Sequence, residues 1–172
     1  MDFFEVVDTR RSIRAFTGQP IEPDKLQRIL ETANRAPSAG NLQAYEMHVV
    51  THRACRRALA RAALDQDFIA QAPAAIVLCA LPDRSAAKYG ERGASLYCMQ
   101  DATIACAYAQ LAATALGLAS VWVGAFDTEA VRKAIDVAAD ALPIAILPIG
   151  YSAEHPDAAS RRPLDDLVHY IR

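Results

Sequence analysis

From Ala102 to Phe126 the chain carries no charged residue, and that run limits the folds open to it. As one helix rising ~1.5 Å per residue it would reach ~30 Å, the depth of a bilayer's hydrocarbon. The run is rich in alanine rather than leucine, includes Thr103, Gln110, Thr114 and Ser120, and changes character at Gly117. Small residues gain little on insertion into lipid. The pattern instead predicts a helix from about Ala94 to Leu116, ended by Gly117, and then a β-branched strand from Ser120 to Phe126. A helix apolar on every side must be buried, and a chain of 172 residues has few places to hide one. A second copy of the chain is the expected cover, so homodimerisation is an expectation.

Composition narrows the function. With 53% hydrophobic and 22% charged residues and no low-complexity tract, residues 1–172 read as a single globular domain. Lys and Arg total 18 against 20 Asp and Glu, a net charge of −2. Such a balance provides no long-range attraction for nucleic acid or an anionic membrane, so basic residues must act locally, at one anion site. The opening Met-Asp-Phe-Phe-Glu carries acid where a secretory leader carries basic residues, and a cytoplasmic protein is expected. Cys55, Cys79, Cys98 and Cys106 show no C-x-x-C spacing; they read as buried, reduced thiols, with no metal site.

The remaining periodicities predict an α/β or α+β order with about four strands. Phe3, Val6 and Val7 share a face of a first helix; Pro23 starts a second, carrying Leu26, Ile29, Leu30 and Ala33, which Pro37 stops. Tyr45 to Thr51 reads as a strand, Ala54 to Leu64 as a basic surface helix, and Ala74 to Leu81 as a buried strand. Pro82 to Gly93 reads as a polar stretch. Asp127 caps a further helix, with Val131, Ala134, Ile135 and Ala138 on its apolar face, and Ile144 to Gly150 forms the last strand.

The sharpest chemical signal is Arg10-Arg11-Ser12-Ile13-Arg14. Forked guanidinium donors and a hydroxyl suit a phosphate monoester, whose oxygens they satisfy and whose charge they offset; a solvated basic turn is the plainer alternative. Arg161-Arg162 in the tail could close on the same anion. In Pro37-Ser38-Ala39-Gly40-Asn41-Leu42-Gln43, small residues permit close backbone approach, and Asn41 and Gln43 can read a mixed donor and acceptor edge. Neither G-x-G-x-x-G, nor G-x-x-x-x-G-K-[ST], nor G-x-S-x-G occurs, so dinucleotide, P-loop and serine hydrolase sites lack support. His48 and His52 read as core or surface residues. Asp101 and Gln100 are polar groups in an apolar setting; each needs a partner if buried, holding loops rather than reacting.

These pieces together resemble the nitroreductase family of FMN-dependent oxidoreductases. Arg10-Arg11-Ser12-Ile13-Arg14-Ala15-Phe16 is similar to the family's R-R-S-x-R-x-F opening, and Ala36-Pro37-Ser38-Ala39-Gly40-Asn41-Leu42-Gln43 to its A-P-S-x-x-N-x-Q loop. Tyr89 to Gly93, Gln100-Asp101, Trp122 to Asp127, Pro148 to Tyr151 and Arg161 to Leu164 follow in register, as in a short subgroup of that family. The resemblance implies an α+β fold in which a mixed sheet is flanked by helices, and an intertwined homodimer packed through the long central helix. It implies two FMN molecules at the subunit interface. By position, Arg10, Ser12 and Arg14 match the residues that hold FMN's phosphate, ribityl chain and pyrimidine edge, with Arg11 beside them. Pro37, Ser38, Ala39 and Asn41 match the loop that the partner subunit lays on the flavin, and Gln43 is a further contact. Val123 and Gly124 match the strand end facing flavin N5; Arg161 and Arg162 match the tail cation near the phosphate.

The activity so implied is hydride transfer from NADH or NADPH through flavin N5 to a small-molecule acceptor, a nitroaromatic, a quinone or a similar compound, by ping-pong exchange. No side chain need be a catalytic acid or base. The alternatives are a specialised member, such as a flavin-dependent dehalogenase or flavin-fragmenting enzyme, and a non-catalytic flavin-binding protein. Two departures from the family pattern stand out. Ala44-Tyr45 replaces a common Pro-Trp. The short Pro82 to Gly93 stretch implies an open cleft, with Tyr89 and Arg92 at its rim.

Overall fold

The computed structural model describes residues 1–171. Its framework is a four-stranded sheet in the order β1-β2-β4-β3, where β1 is Tyr45–Val50, β2 Ala74–Ala80, β3 Ala119–Ser120 and β4 Leu142–Gly150. These strands pair antiparallel throughout, and the parallel component of the sheet is one bridge, Ser12 to Ser120. All seven residues of β2 are buried, because helices cover both faces. Ile76 and Leu78 face a core built with α2 (Pro23–Ala33) and α6 (Cys98–Ala115). Val77 and Cys79 face a second core with α3 (Arg53–Ala62), α4 (Phe68–Gln71) and α7 (Thr128–Ile135). Burial of each such aliphatic side chain contributes roughly 1.5–3 kcal/mol, so the central strands form a rigid support for the loops at their ends.

Local chemistry sets the helix boundaries. Asp2 and Glu5 form a reciprocal capping box on α1 (Phe3–Thr9). Asp127 Oδ1 accepts from the Ala130 N–H at 2.8 Å, as its cap position requires, and Asp136 ends α7 in the left-handed region at φ 51°. Ala138 therefore lies beyond the helix on whose face it was expected. The second helix ends at Ala33, ahead of Pro37.

Three segments differ from the sequence expectations. Pro82 to Gly93 is not an irregular polar stretch: Pro82–Arg92 forms α5, followed by a π-helical turn at Gly93–Tyr97 that leads into α6. The strand expected from Ser120 to Phe126 shrinks to Ala119–Ser120; the chain then leaves the ladder and rejoins it at one bridge, Val123 to Ile146. α4 is a short additional helix.

α6 lies on the sheet through Cys98, Ala102, Ala105, Cys106, Ala109 and Ala113, all fully buried. Its opposite side leaves Thr103, Ala107 and Ala115 exposed within the chain, with Tyr108 36% exposed. Among the described residues no helix is long and apolar enough to cross a membrane.

Candidate functional site

The arginine motif runs alongside the sheet edge. Ile13 N–H donates to Ser120 O at 3.1 Å, Thr17 N–H to Tyr151 O at 3.0 Å, and Ala153 N–H to Ala15 O at 2.9 Å. Residues 12–17 are thus held between β3 and the chain leaving β4. The Glu154 carboxylate fixes the middle of this segment, accepting from the backbone N–H of Arg14 and, at 3.2 Å, from that of Ala15. That carboxylate forms no ion pair with a guanidinium among the described residues. Arg11 Nη1 turns back onto the end of α1, donating to Asp8 O at 2.6 Å and Arg10 O at 2.9 Å. The side chains of Arg10 and Arg14 have neither hydrogen-bond nor ion-pair partners among the described residues. Arg10 and Arg11 open onto a cavity of about 340 Å³ shared with Glu154 and His155. Beside Ser12, Ser120 Oγ is buried with no partner among the described residues.

The second loop is held in an unusual conformation. Gly40, Asn41 and Gln43 all have positive φ, 56°, 57° and 48°. Left-handed backbone at non-glycine positions costs about 1–3 kcal/mol each and persists only where its surroundings impose it. Here they do. Ser38 Oγ accepts from Gln43 N–H at 3.0 Å, Asn41 Oδ1 accepts from Gln43 Nε2 at 2.9 Å, and Asp101 Oδ1 accepts from Ala39 N–H at 2.9 Å. From α5, Arg84 Nε donates to Leu42 O at 2.6 Å. A Cβ on Gly40 would collide with Tyr89 Oη and come within 2.7 Å of Lys88 Nζ. Pro37, Asn41 and Gln43 line a cavity of about 870 Å³ on the α2 side.

Tyr89 and Arg92, expected at a rim, belong to one aromatic cluster. The rings of Tyr89 and Tyr97 meet edge to face, with centroids 5.2 Å apart, and Arg92 Nε donates to Tyr97 Oη at 3.0 Å. The fold therefore joins the Pro37–Gln43 loop to Tyr89 within one chain. It does not bring that loop to the arginine motif, whose Arg10 and Arg11 open onto a different cavity.

Val123 is buried and held by reciprocal 2.9 Å hydrogen bonds with Ile146, whereas Gly124 is exposed beside the Trp122 indole. Arg161 and Arg162 lie in the exposed tail and bond locally, to Ala159 O and Ser160 O and to Asp166 O. Asp101 is buried, as its loop-holding role demands, but Gln100 is exposed. His48 pairs with Glu46 on the strand surface at 3.2 Å. Cys79, Cys98 and Cys106 are buried thiols, but Cys55, on the amphipathic α3, is partly exposed rather than buried as expected; no cluster with metal-ligand spacing occurs among the described residues. Glu154 and Arg84 were missed by sequence reasoning, since each bonds to a backbone segment distant in the chain.

Two guanidiniums and a neighbouring buried hydroxyl, all without partners among the described residues, fit the phosphate of a phosphate-bearing cofactor. Comparison with known proteins gives the arrangement a context. The family model described as Nitroreductase family matches residues 7–66 and 57–151. An NADH dehydrogenase of Thermus thermophilus is 33% identical over 92% of this chain and 91% of its own length. The Bacillus subtilis protein named FMN reductase, NAD(P)H, is 28% identical over 92% of this chain and 69% of its own length. The crystal structure of nitroreductase A from Vibrio parahaemolyticus superposes with a TM-score of 0.91 at 26% identity, covering 100% of this chain and 76% of that one.

Proposed function

Because the chain belongs to the nitroreductase family, we propose that it is an FMN-dependent NAD(P)H oxidoreductase that reduces nitroaromatic, quinone or similar small acceptors. The observation that carries this reading is the pair of guanidiniums, Arg10 and Arg14, that have no hydrogen-bond or ion-pair partner among the described residues while the backbone of their segment is held on the sheet edge. Arg10, Ser12 and Arg14 would hold the FMN phosphate and adjoining polar groups, with Arg11 limited to a supporting share by its bonds to the backbone. Arg161 and Arg162 would add positive charge from the tail. When bound, FMN supplies reversible two-electron exchange at N5 between the nicotinamide and the acceptor. A guanidinium beside its pyrimidine edge favours the reduced, anionic form, because opposite charges attract strongly where water is excluded.

The loop Pro37, Ser38, Ala39, Asn41 and Gln43 would cover the flavin of a partner subunit. Two features support a homodimer with the sites between its subunits. Within one chain this loop and the arginine motif open onto separate cavities. The exposed side of α6 is made of small and apolar residues that a second copy would bury. Gly124 would face N5 through its backbone, with Val123 fixing its position through the bonds to Ile146, and Tyr89 and Arg92 would border the acceptor's approach. No protein acid or base is required, since solvent can protonate the product.

Steady-state kinetics test the proposal. With NADH or NADPH varied against menadione, ping-pong exchange through one cleft gives parallel double-reciprocal lines. Converging lines, or bound flavin without turnover on any quinone or nitroaromatic, would exclude it.

A further inference from the structure

We infer that the arginine stripe on α3 is a second anion site, which takes a nucleotide-sized molecule carrying a diphosphate or longer phosphate chain. Arg53, Arg57 and Arg61 follow at i, i+4 and i+8, so they form one row about 12 Å long. The helix has no acidic residue in its sequence, Arg-Ala-Cys-Arg-Arg-Ala-Leu-Ala-Arg-Ala. Like charges at that spacing repel, and Arg53 puts a cation at the helix N-terminus, where the macrodipole favours an anion. None of the three side chains makes a hydrogen bond or ion pair among the described residues. A near-neutral protein thus concentrates like charge on a helix where no ion pair among the described residues offsets it, a conflict between local rules and fold of the kind that marks a binding site.

The stripe borders a cavity of about 1000 Å³. Its lining also includes the apolar Pro20, Ile21, Leu26 and Pro73, and the one acid in it, Asp67, pairs with no arginine among the described residues. Arg56, also in this lining, is committed to structure, donating to Ala70 O at 2.9 Å and to Ala72 O. Charge and apolar surface in one lining match a molecule with a phosphate chain and a flat organic body. A row this short addresses only a few phosphates of a nucleic acid, and the overall charge offers no steering towards one. The site is separate from the flavin motif. Ser12 neighbours Ser120, which pairs with Ile149, which pairs with Ala74 at the cavity; three inter-strand steps give roughly 14 Å.

Titration calorimetry of ADP into the flavin-saturated protein at low ionic strength tests this, with adenosine and a 20-base-pair duplex as comparisons. The expected result is that ADP binds, adenosine does not, and Arg57→Gln/Arg61→Gln weakens ADP at least tenfold with flavin content unchanged. The same variant should melt at the same or a higher temperature than the parent, since it relieves repulsion. Arg53→Gln/Arg61→Gln gives an independent second variant. Failure of ADP to bind, or binding that the stripe variants leave intact and Arg10→Ala/Arg14→Ala abolishes, would overturn the inference, as would a duplex bound more tightly than ADP.

Discussion

The Ala39 backbone N–H donates at 2.9 Å to Asp101 Oδ1, tying the left-handed loop before β1 to the first turn of the central helix. Asp101 is only 2% exposed, and its other oxygen has no partner among the described residues. A buried hydrogen bond to a carboxylate contributes about 1.5–3 kcal/mol. Asp101→Ala should lower stability in urea denaturation by about that amount and weaken FMN binding, because the loop loses its anchor. Asp101→Asn retains an acceptor oxygen and should recover most of both. Equal defects in the two variants would assign Asp101 a charge-dependent role instead.

Gly40 makes a sharper test of the loop. Alanine there must hold φ 56°, at a cost of about 1–2 kcal/mol, and must also displace Tyr89 and Lys88. Gly18 has φ 74° but open space around its Cα, so Gly18→Ala carries the backbone cost alone. Fluorescence titration with FMN should show at least tenfold weaker binding for Gly40→Ala and near-parental binding for Gly18→Ala.

The thiols should respond according to burial. Desolvation pushes Cys79 up to about 12 and raises Cys98 and Cys106 as well, favouring their neutral, unreactive forms. Cys55 alone has solvent access. Mass spectrometry after iodoacetamide at pH 8 should find one modified cysteine in the native protein, Cys55, and four after denaturation. Modification of Cys79 or Cys106 in the native protein would contradict the packing of the two cores.

How far the sequence was legible depended on where each residue's partner lies. α6 could be read because its apolar run, its stop at Gly117 and the need to partner Asp101 are local facts. α5 could not. Its one buried side chain is Ser85, and it is held by contacts of Tyr89 with Tyr97 and of Gly93 against the Ser85 carbonyl, not by an apolar stripe. Val121 and Val123 have the composition of a strand and are buried, but they sit in the α3–α7 core while the backbone leaves the ladder. Of the candidate site, the arginines and the loop were visible as motifs. Glu154 was not, since its bond to the Arg14 backbone closes across 140 residues.

One polar contact carries a pH dependence. Tyr151 Oη lies 2.7 and 2.8 Å from the Glu22 oxygens and accepts from Lys25 Nζ at 2.7 Å. The Tyr151 hydrogen bond, with the Lys25 charge adding to it, holds the Glu22 carboxyl below its ordinary value. A depressed carboxyl contributes stability above its unfolded value of about 4.3 and loses it as pH falls through the folded value. Tyr151→Phe should therefore melt below the parent at pH 7, and the difference should close under acid conditions. A constant difference across pH would show that the hydroxyl acts through packing alone.

The central claim is that FMN is held through Arg10 and Arg14. Visible absorption of the purified protein, followed by identification of the pigment released on heating and FMN titration of Arg10→Ala/Arg14→Ala, tests it directly. The account predicts flavin bands, FMN as the released pigment, and at least tenfold weaker FMN binding in a double variant whose far-ultraviolet circular dichroism is unchanged. A colourless parent that takes up no added FMN, or a double variant with undiminished affinity, would contradict it.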